Sequence, residues 1–147
     1  MPARIASIQL CPGHREPMQS VPSATLSAGV GLAGDKHASP ASTRQVLLAD
    51  KEALDRLNLE SGVIKENVTV EGLDVMTLDV GTRLQLGAQV VLEITSVCEP
   101  CFRMDEIRPG LRAELDGKRG MNSRVVTGGR IAVGEAIAIL AQRELAS

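Results

Sequence analysis

Hydrophobic and polar residues alternate along the second half of the chain in the pattern of half-buried β-strands. Within Val90–Val97 the aliphatic residues at positions 90, 92 and 94 face one way, whereas Val91, Glu93 and Thr95 face the other. This period of two residues predicts a strand with one buried face. Short segments of similar character lie at 67–70 and 83–86, with turn residues between them. We therefore expect these three strands to pair in sequence order.

Glycine punctuates the next apolar segments. Gly128-Gly129 separates residues 124–127 from residues 130–133, which predicts a tight hairpin because two glycines permit the primed turns that match strand twist. A last strand is expected over 136–140. Between the two cysteines at 98–101 and this hairpin, apolar residues at helical spacing predict a pair of short helices: Ile107, Leu111 and Leu115.

The first half of the chain predicts shorter elements. Strands are expected over 5–10, 24–30 and 45–48, with a polar loop over 15–22. A short amphipathic helix is expected from Asp50, whose carboxylate would cap it, to about Asn58. Lys51 with Asp55 and Glu52 with Arg56 form pairs four residues apart on its exposed face.

These elements together predict a mainly β fold with a few short helices. Seven or more short strands with glycine turns favour a closed or nearly closed antiparallel β-barrel, because closure removes exposed sheet edges. The chain has no internal repeat, low-complexity segment or linker-like stretch. Residues 1–147 are therefore expected to form a single domain.

Composition narrows the classes of partner. The chain is 44% hydrophobic but has no Trp or Tyr, and Phe102 is its one aromatic residue, so the core must be aliphatic. Without aromatic faces for base stacking, and with a net charge of −2, nucleic acid is not an expected partner. The amino-terminal residues lack a signal-peptide pattern, and no apolar run is long enough to cross a membrane. We expect a soluble cytoplasmic protein whose three cysteines are reduced thiols.

Cys101 is the candidate reactive centre. It follows Pro100 at the start of a predicted helix, where backbone amides and the nearby Arg103 favour the thiolate, the nucleophilic and metal-binding form. Cys98 has the parity of the inward-facing strand residues, so it is either a resolving thiol or part of the core. Cys11 is expected to be a small buried side chain.

Other uses of the Cys-x-x-Cys pair remain open. A zinc site could be completed by Cys11, His14 or His37, although the chain has no second tight pair of ligands. A thioredoxin-like redox motif is disfavoured because the pair follows a strand in an all-β context rather than in a βαβ unit.

Several polar residues stand at turns or at the entrances of predicted strands. Lys36 and His37 follow the glycine-rich turn Gly31–Gly34, whose amides could cradle an anion. The other such positions are Arg44, Glu66, Asn67, Arg119 and Arg124. Taken one at a time, these residues are most simply interpreted as solvated strand flanks.

Taken in order, the motifs resemble the MOSC domain, named for the C-terminal region of molybdenum-cofactor sulfurases. The resemblance runs from about residue 5 to residue 139. The motifs are Gly31–His37, Arg44–Val46, Glu66–Leu73, Val80–Leu84, Pro100-Cys101, and Gly117–Gly120 continuing through Gly128-Gly129 and Val133–Glu135. The resemblance implies a strand-rich, barrel-like fold and identifies Cys101 as the cysteine of the family. It also implies that this thiol carries sulfur as a persulfide or ligates the molybdenum of a bound pterin cofactor.

The same resemblance assigns roles to the charged residues. Those that would hold phosphate or oxo groups are Lys36, His37, Arg44, Arg103 and Arg124, with Asn67 orienting the ligand. The chain departs from the family where Lys65 replaces the usual glycine before the Glu-Asn pair, and where Glu135 replaces the usual Asp.

The part of the full sulfurases that binds pyridoxal phosphate is not recognisable in this sequence. A separate cysteine desulfurase or redox partner protein is therefore expected. Two alternatives follow: a catalytic component of a molybdenum-dependent reductase of N-hydroxylated bases or amines, or a non-catalytic binding domain with structural or zinc-bound cysteines.

Overall fold

The structure is a computed structural model, and it describes residues 2–140. The strands are β1 (Ala3–Leu10), β2 (Gln19–Val21), β3 (Ser23–Ser27), β4 (Gly31–Leu32), β5 (Val46–Asp50), β6 (Val68–Glu71), β7 (Arg83–Leu86), β8 (Val90–Val97), β9 (Met121–Thr127), β10 (Gly129–Ala132) and β11 (Ala136–Ile139). The helices are α1 (Lys51–Arg56), α2 (Arg103–Ile107) and α3 (Leu111–Glu114), and Val75–Thr77 forms a 3₁₀ turn. None of the helices in this part of the chain is long and apolar enough to cross a membrane.

Seven strands close into a barrel in the order β1, β6, β5, β9, β8, β7 and β11, which returns to β1. The predicted mainly β, closed barrel is confirmed. The prediction that it is antiparallel throughout is wrong, because β5 and β6 run parallel, with Leu48 opposite Val68. The chain between these strands passes through α1, which is the kind of crossover that parallel neighbours require.

Two predicted pairings are also wrong. β7 and β8 form a hairpin as expected, but β6 pairs with β5 and β1 rather than with β7. The hairpin at Gly128-Gly129 does not form, since β9 pairs with β8 and β5 while β10 joins β3 and β4 in a second sheet. A side chain at Gly128 would lie 2.6 Å from the carbonyl oxygen of Leu26. These glycines therefore let the chain pass closely from the barrel to the second sheet.

The barrel interior is aliphatic, as the composition predicts. Val90, Leu92 and Ile94 of β8 are fully buried in it. A register shift between Ile94 and Ser96 ends this alternation, so that Cys98 is only partly buried and lies outside the core. A smaller apolar cluster packs the helices beside the barrel; its buried members are Ala49, Leu54, Ile64, Met104, Leu111 and Leu115.

The helix α1 ends near its predicted boundary, and the expected ion pair joins Lys51 Nζ to Asp55 Oδ2 at 2.7 Å. The expected cap is wrong, because Asp50 makes no side-chain capping bond. Its Oδ1 instead accepts a hydrogen bond from the backbone N–H of Val75 at 3.0 Å. Glu52 is the predicted partner of Arg56. Its Oε2 instead accepts a hydrogen bond from the backbone N–H of Gly72 at 2.8 Å.

Candidate functional site

Cys101 lies on a pocket of about 300 Å³, a volume at the lower end of the range for small-molecule sites. The segment 11–16 after β1, the turn at 36–37, Lys65, the residues around α2 and Arg119 before β9 all contribute to its lining. The topology thus brings together residues from Cys11 to Arg119, which are more than 100 positions apart in sequence.

Asp35 holds two of these segments in place. Its Oδ1 accepts from the backbone N–H of Cys11 at 2.6 Å, and its Oδ2 accepts from the backbone N–H of His37 at 3.0 Å. Oδ2 also lies 3.2 Å from Nδ1 of His37. Burial alone would raise the pKa of Asp35, but these hydrogen bonds, first that of the His37 side chain, outweigh burial and lower it. The carboxylate is therefore ionised at neutral pH and orients His37 at the pocket.

Asn67 acts one step behind Asp35. Its Nδ2 donates to Asp35 Oδ1 at 3.0 Å and to the carbonyl of Gln9 at 3.2 Å, while its Oδ1 accepts from the N–H of Leu47 at 2.9 Å. It is buried and does not line the pocket. Its amide therefore positions Asp35 rather than facing the space where a ligand would lie.

A cluster of positive charge surrounds the pocket. His14 lies between two cations, with Nδ1 3.5 Å from Lys36 Nζ and Nε2 3.5 Å from Arg103 Nη2. The charge of Arg103, followed by that of Lys36, lowers the pKa of His14. This imidazole is accordingly neutral at neutral pH, and its lowered pKa reflects the local positive potential. The five cationic residues of the lining are Arg15, Lys36, Lys65, Arg103 and Arg119, against the two carboxylates of Glu16 and Glu106.

Cys101 is exposed and stands two residues before α2, where the sequence predicts it. Its carbonyl accepts from the backbone N–H of Met104 at 3.0 Å, which fixes the turn that carries the thiol. Cys11 lines the same pocket but is 4% exposed, and its thiol donates to the carbonyl of Gly13 at 3.4 Å. Cys98 does not line the pocket. Within residues 2–140 no group of three or more His, Cys, Asp or Glu side chains is arranged to hold a metal ion.

The other predicted cationic residues lie outside the pocket. Arg124 Nε and Nη2 are both 3.1 Å from Glu93 Oε2, and Arg83 Nε is 3.1 Å from Glu93 Oε1. This network links β7, β8 and β9. Arg44 is exposed before β5 and does not contribute to the pocket lining either.

Of the Gly31–Gly34 amides expected to cradle an anion, that of Ala33 is used within the protein, and so are the following amides of Asp35 and Lys36. The N–H groups of Ala33, Asp35 and Lys36 donate to the carbonyls of Thr25, Leu32 and Cys11, respectively. Gly31 and Gly34 have positive φ angles, 135° and 86°. Their conformations shape the turn that presents Lys36 and His37.

The sequence does not predict that Arg119, which lines the pocket, is buried. Arg119 is only 7% exposed, although a charged residue beside a turn is usually solvated. Glu66 is fully buried and close enough for the charge of Arg119 to act on it, but burial dominates and raises its pKa. No periodic pattern of the sequence marks either residue as buried.

A family model described as the MOSC domain matches residues 33–138. The chain belongs to the MOSC domain family. MOSC domains are associated with molybdenum-cofactor sulfurase-like proteins. The matched range includes Lys36, His37, Lys65, Cys101 and Arg119 of the pocket, but not the segment 11–16.

Solved structures share the fold of this MOSC domain. The YuaD protein from Bacillus subtilis superposes with a TM-score of 0.80 at 18% identity, covering 93% of this chain and 94% of that chain. YiiM from Geobacillus stearothermophilus gives 0.75 at 18% identity, over 95% of this chain and 76% of that one. YiiM from Escherichia coli gives 0.71 at 15% identity, over 94% and 70%. No relative was found among curated protein sequences.

Proposed function

We propose that this MOSC domain binds an anionic molybdenum–pterin cofactor in the pocket at Cys101 and that Cys101 supplies the sulfur atom that meets the metal. The observation that carries the proposal is an exposed thiol in a pocket where five cationic side chains outnumber two carboxylates. Thiolate sulfur is a soft ligand, and clustered cations are suited to phosphate and oxo groups.

The residues present fit such a ligand. Lys36 and Arg103 would hold its anionic groups at the exposed side, and His37, oriented by Asp35, would donate or accept a hydrogen bond there. When bound, the cofactor supplies a metal centre that accepts sulfur. The chain itself supplies the thiol, the positive potential and the rigid turn before α2 that presents Cys101.

Sulfur would reach Cys101 from a persulfide on a partner protein, such as a cysteine desulfurase. The Cys101 thiolate attacks the terminal sulfur of the donor persulfide, and the sulfur–sulfur bond of the donor breaks. The donor cysteine leaves as a thiolate, and Cys101 becomes the persulfide. The exchange is redox-neutral and needs no electron source.

Cofactor binding is tested by purification under anaerobic, molybdate-replete conditions, followed by metal and pterin analysis. The wild type should retain molybdenum and pterin, and Cys101→Ser should lose most of the molybdenum. Cys98→Ser is the matched control, since Cys98 is in the same segment but outside the pocket. Equal molybdenum in all three proteins would contradict a role for Cys101 as the ligand.

Sulfur carriage is tested separately by incubating the protein with a cysteine desulfurase and cysteine, followed by mass spectrometry. The expected product is the mass of one added sulfur atom on Cys101, absent from Cys101→Ser and retained in Cys98→Ser. If the wild type acquires neither persulfide nor molybdenum, the proposed function is wrong.

A further inference from the structure

We infer that Arg119 is the buried anchor of an oxyanion subsite in the Cys101 pocket, a site for a tetrahedral oxyanion or phosphate group. The ligand chemistry is the same for a phosphate ester on a larger molecule and for a free oxyanion such as molybdate. The inference deepens the proposed function and rests on it for the identity of the natural ligand. Binding of the anion itself does not require the Cys101 thiol.

Two of the three guanidinium nitrogens of Arg119 have no hydrogen-bond partner in the part of the chain that the structure describes. These two atoms, Nε and Nη1, are buried. A guanidinium stays protonated in proteins, and burying an unpaired charge is costly. Buried polar groups without partners are rare in folded proteins and commonly mark the place of a ligand. Because Arg119 is among the residues that line the pocket, an anion bound there can neutralise it.

Glu66 does not fill this role. Its Oε1 is also buried without a partner, and its Oε2 accepts from Thr69 Oγ1 at 2.9 Å instead. Burial raises the pKa of Glu66, and its unpartnered Oε1 makes no hydrogen bond to the guanidinium of Arg119. One carboxyl oxygen of Glu66 and two guanidinium nitrogens of Arg119 are thus buried without hydrogen-bond partners.

Two lysines complete the subsite. Lys36 and Lys65 line the same pocket as Arg119, and Lys65 Nζ is held by the carbonyl of Glu16 at 2.8 Å. A bound oxyanion would accept charge-assisted hydrogen bonds from the buried guanidinium on one side and from these amines on the other. This combination suits a compact anion with several acceptor oxygens.

The backbone beside Arg119 is closely packed. Gly120 has a φ of 137°, and a Cβ atom there would overlap the carbonyl oxygen of Leu48. The carbonyl of Gly120 accepts from the N–H of Cys98 at 3.0 Å. This bond joins the segment that carries Arg119 to the segment that carries Cys101.

The subsite is tested by calorimetric titration of the purified chain with inorganic phosphate, molybdate and methyl phosphate. All wild-type titrations should show binding, and Arg119→Met should weaken it about tenfold or more because a charge-assisted contact is lost. Arg119→Lys should retain part of the affinity. The matched control Lys118→Met removes an exposed cation one residue away and should change affinity by less than about twofold. Methyl phosphate binding more tightly than molybdate would identify the ligand group as a phosphate ester, and the reverse order would identify a free oxyanion.

Thermal unfolding separates a binding role from a structural one. Phosphate should raise the melting temperature of the wild type but not that of Arg119→Met. If Arg119→Met and Glu66→Gln lower stability equally and phosphate changes neither wild type nor variants, Arg119 is a structural partner of Glu66 and the inference is wrong. Cys101→Ser should bind phosphate as the wild type does. Phosphate binding that depends on Arg119, without molybdenum or persulfide on Cys101, would refute the proposed function while leaving the subsite intact.

Discussion

The barrel interior buries apolar side chains that pack against one another, whereas the Cys101 pocket includes buried polar atoms that lack hydrogen-bond partners. The interior is one cluster of buried aliphatic and methionine side chains, whose members run from Ile5 to Ile137 in sequence. Charged side chains make up about half of the residues that line the pocket. Every buried side-chain polar atom without a partner in residues 2–140 belongs to Glu66 or Arg119. The interior therefore stabilises the fold, whereas the pocket holds charge that a ligand can satisfy.

Two buried charges beside the pocket show the same contrast at closer range. Asp35 accepts hydrogen bonds from the backbone of Cys11, from Asn67 and from His37. Arg119 has no partner at two of its nitrogens. Substitution of Asp35 should therefore reduce stability, while substitution of Arg119 should chiefly reduce anion binding.

The largest effect is expected in the barrel. Leu92→Ala removes a fully buried side chain and leaves a cavity, so that the free energy of unfolding should fall by about 2–5 kcal/mol. Urea denaturation measures the change. Val133→Ala, at a residue that is 45% exposed, is the control and should cost less than about 1 kcal/mol. A loss below that of Val133→Ala would show that the interior is not the main source of stability.

The next largest effect is expected at Asp35. Asp35→Ala removes the buried acceptor of the Cys11 N–H and of one hydrogen bond from Asn67 Nδ2, which should cost about 2–4 kcal/mol. Asp35→Asn retains one acceptor oxygen and should cost less. Because the pKa of Asp35 is lowered on folding, its contribution is present above its ordinary pKa of 3.8 and is lost as the pH falls below it. Denaturation curves at neutral and acidic pH would contradict this assignment if Asp35→Ala lost no stability at neutral pH.

Asp50 should give stability the opposite dependence on pH. Burial, followed by hydrogen bonding and repulsion from Asp74, raises its pKa from 3.8 to about 7. The folded state therefore binds a proton that the unfolded state releases, and the free energy of unfolding should fall as the pH rises between these values. Asp50→Asn should remove about 1–3 kcal/mol of this decline. Urea denaturation from pH 4 to pH 8 tests it, with the exposed Asp55→Asn as control; equal slopes in Asp50→Asn and wild type would contradict it.

The sequence predicts what depends on local pattern and misses what depends on distant contacts. Alternation at 90–94 correctly predicts the buried face of β8, and the position of Cys101 before a helix is also confirmed. The parallel pairing of β5 with β6 depends on how the whole barrel closes, and no local signal encodes it. The glycines at 128 and 129 allow both a hairpin and a close crossing. The contact that requires glycine at 128 is with the carbonyl of Leu26, which is distant in sequence.

The pocket was predictable in part for the same reason. Four predicted site residues lie beside recognisable turns, and all four line the pocket: Lys36, His37, Cys101 and Arg103. Burial of Arg119 arises from its surroundings in three dimensions. A lone arginine at a turn has the same sequence signature whether it is solvated or buried.

Lys65 gives the smallest expected change in stability. Its substitution separates the effect of a residue on stability from its effect on anion binding. It has a φ of 68°, a left-handed conformation that costs a residue with a side chain about 1–2 kcal/mol and that accounts for the glycine usual in the family. Lys65→Gly should relieve this strain, but it also makes the unfolded chain more flexible, so the net gain should be below about 1 kcal/mol. The same change removes a cation from the pocket and should weaken phosphate binding.

Lys65→Met is the matched variant because it removes the charge and retains the strained backbone. Both variants should weaken phosphate binding similarly in calorimetric titrations, whereas only Lys65→Gly should resist urea better than the wild type. If Lys65→Gly bound phosphate as well as the wild type, the side chain of Lys65 would not contribute to binding. The backbone conformation alone would then distinguish this position. Loss of affinity together with a gain in stability would instead mean that the chain retains a strained residue for its charge, which is the trade expected of a binding site.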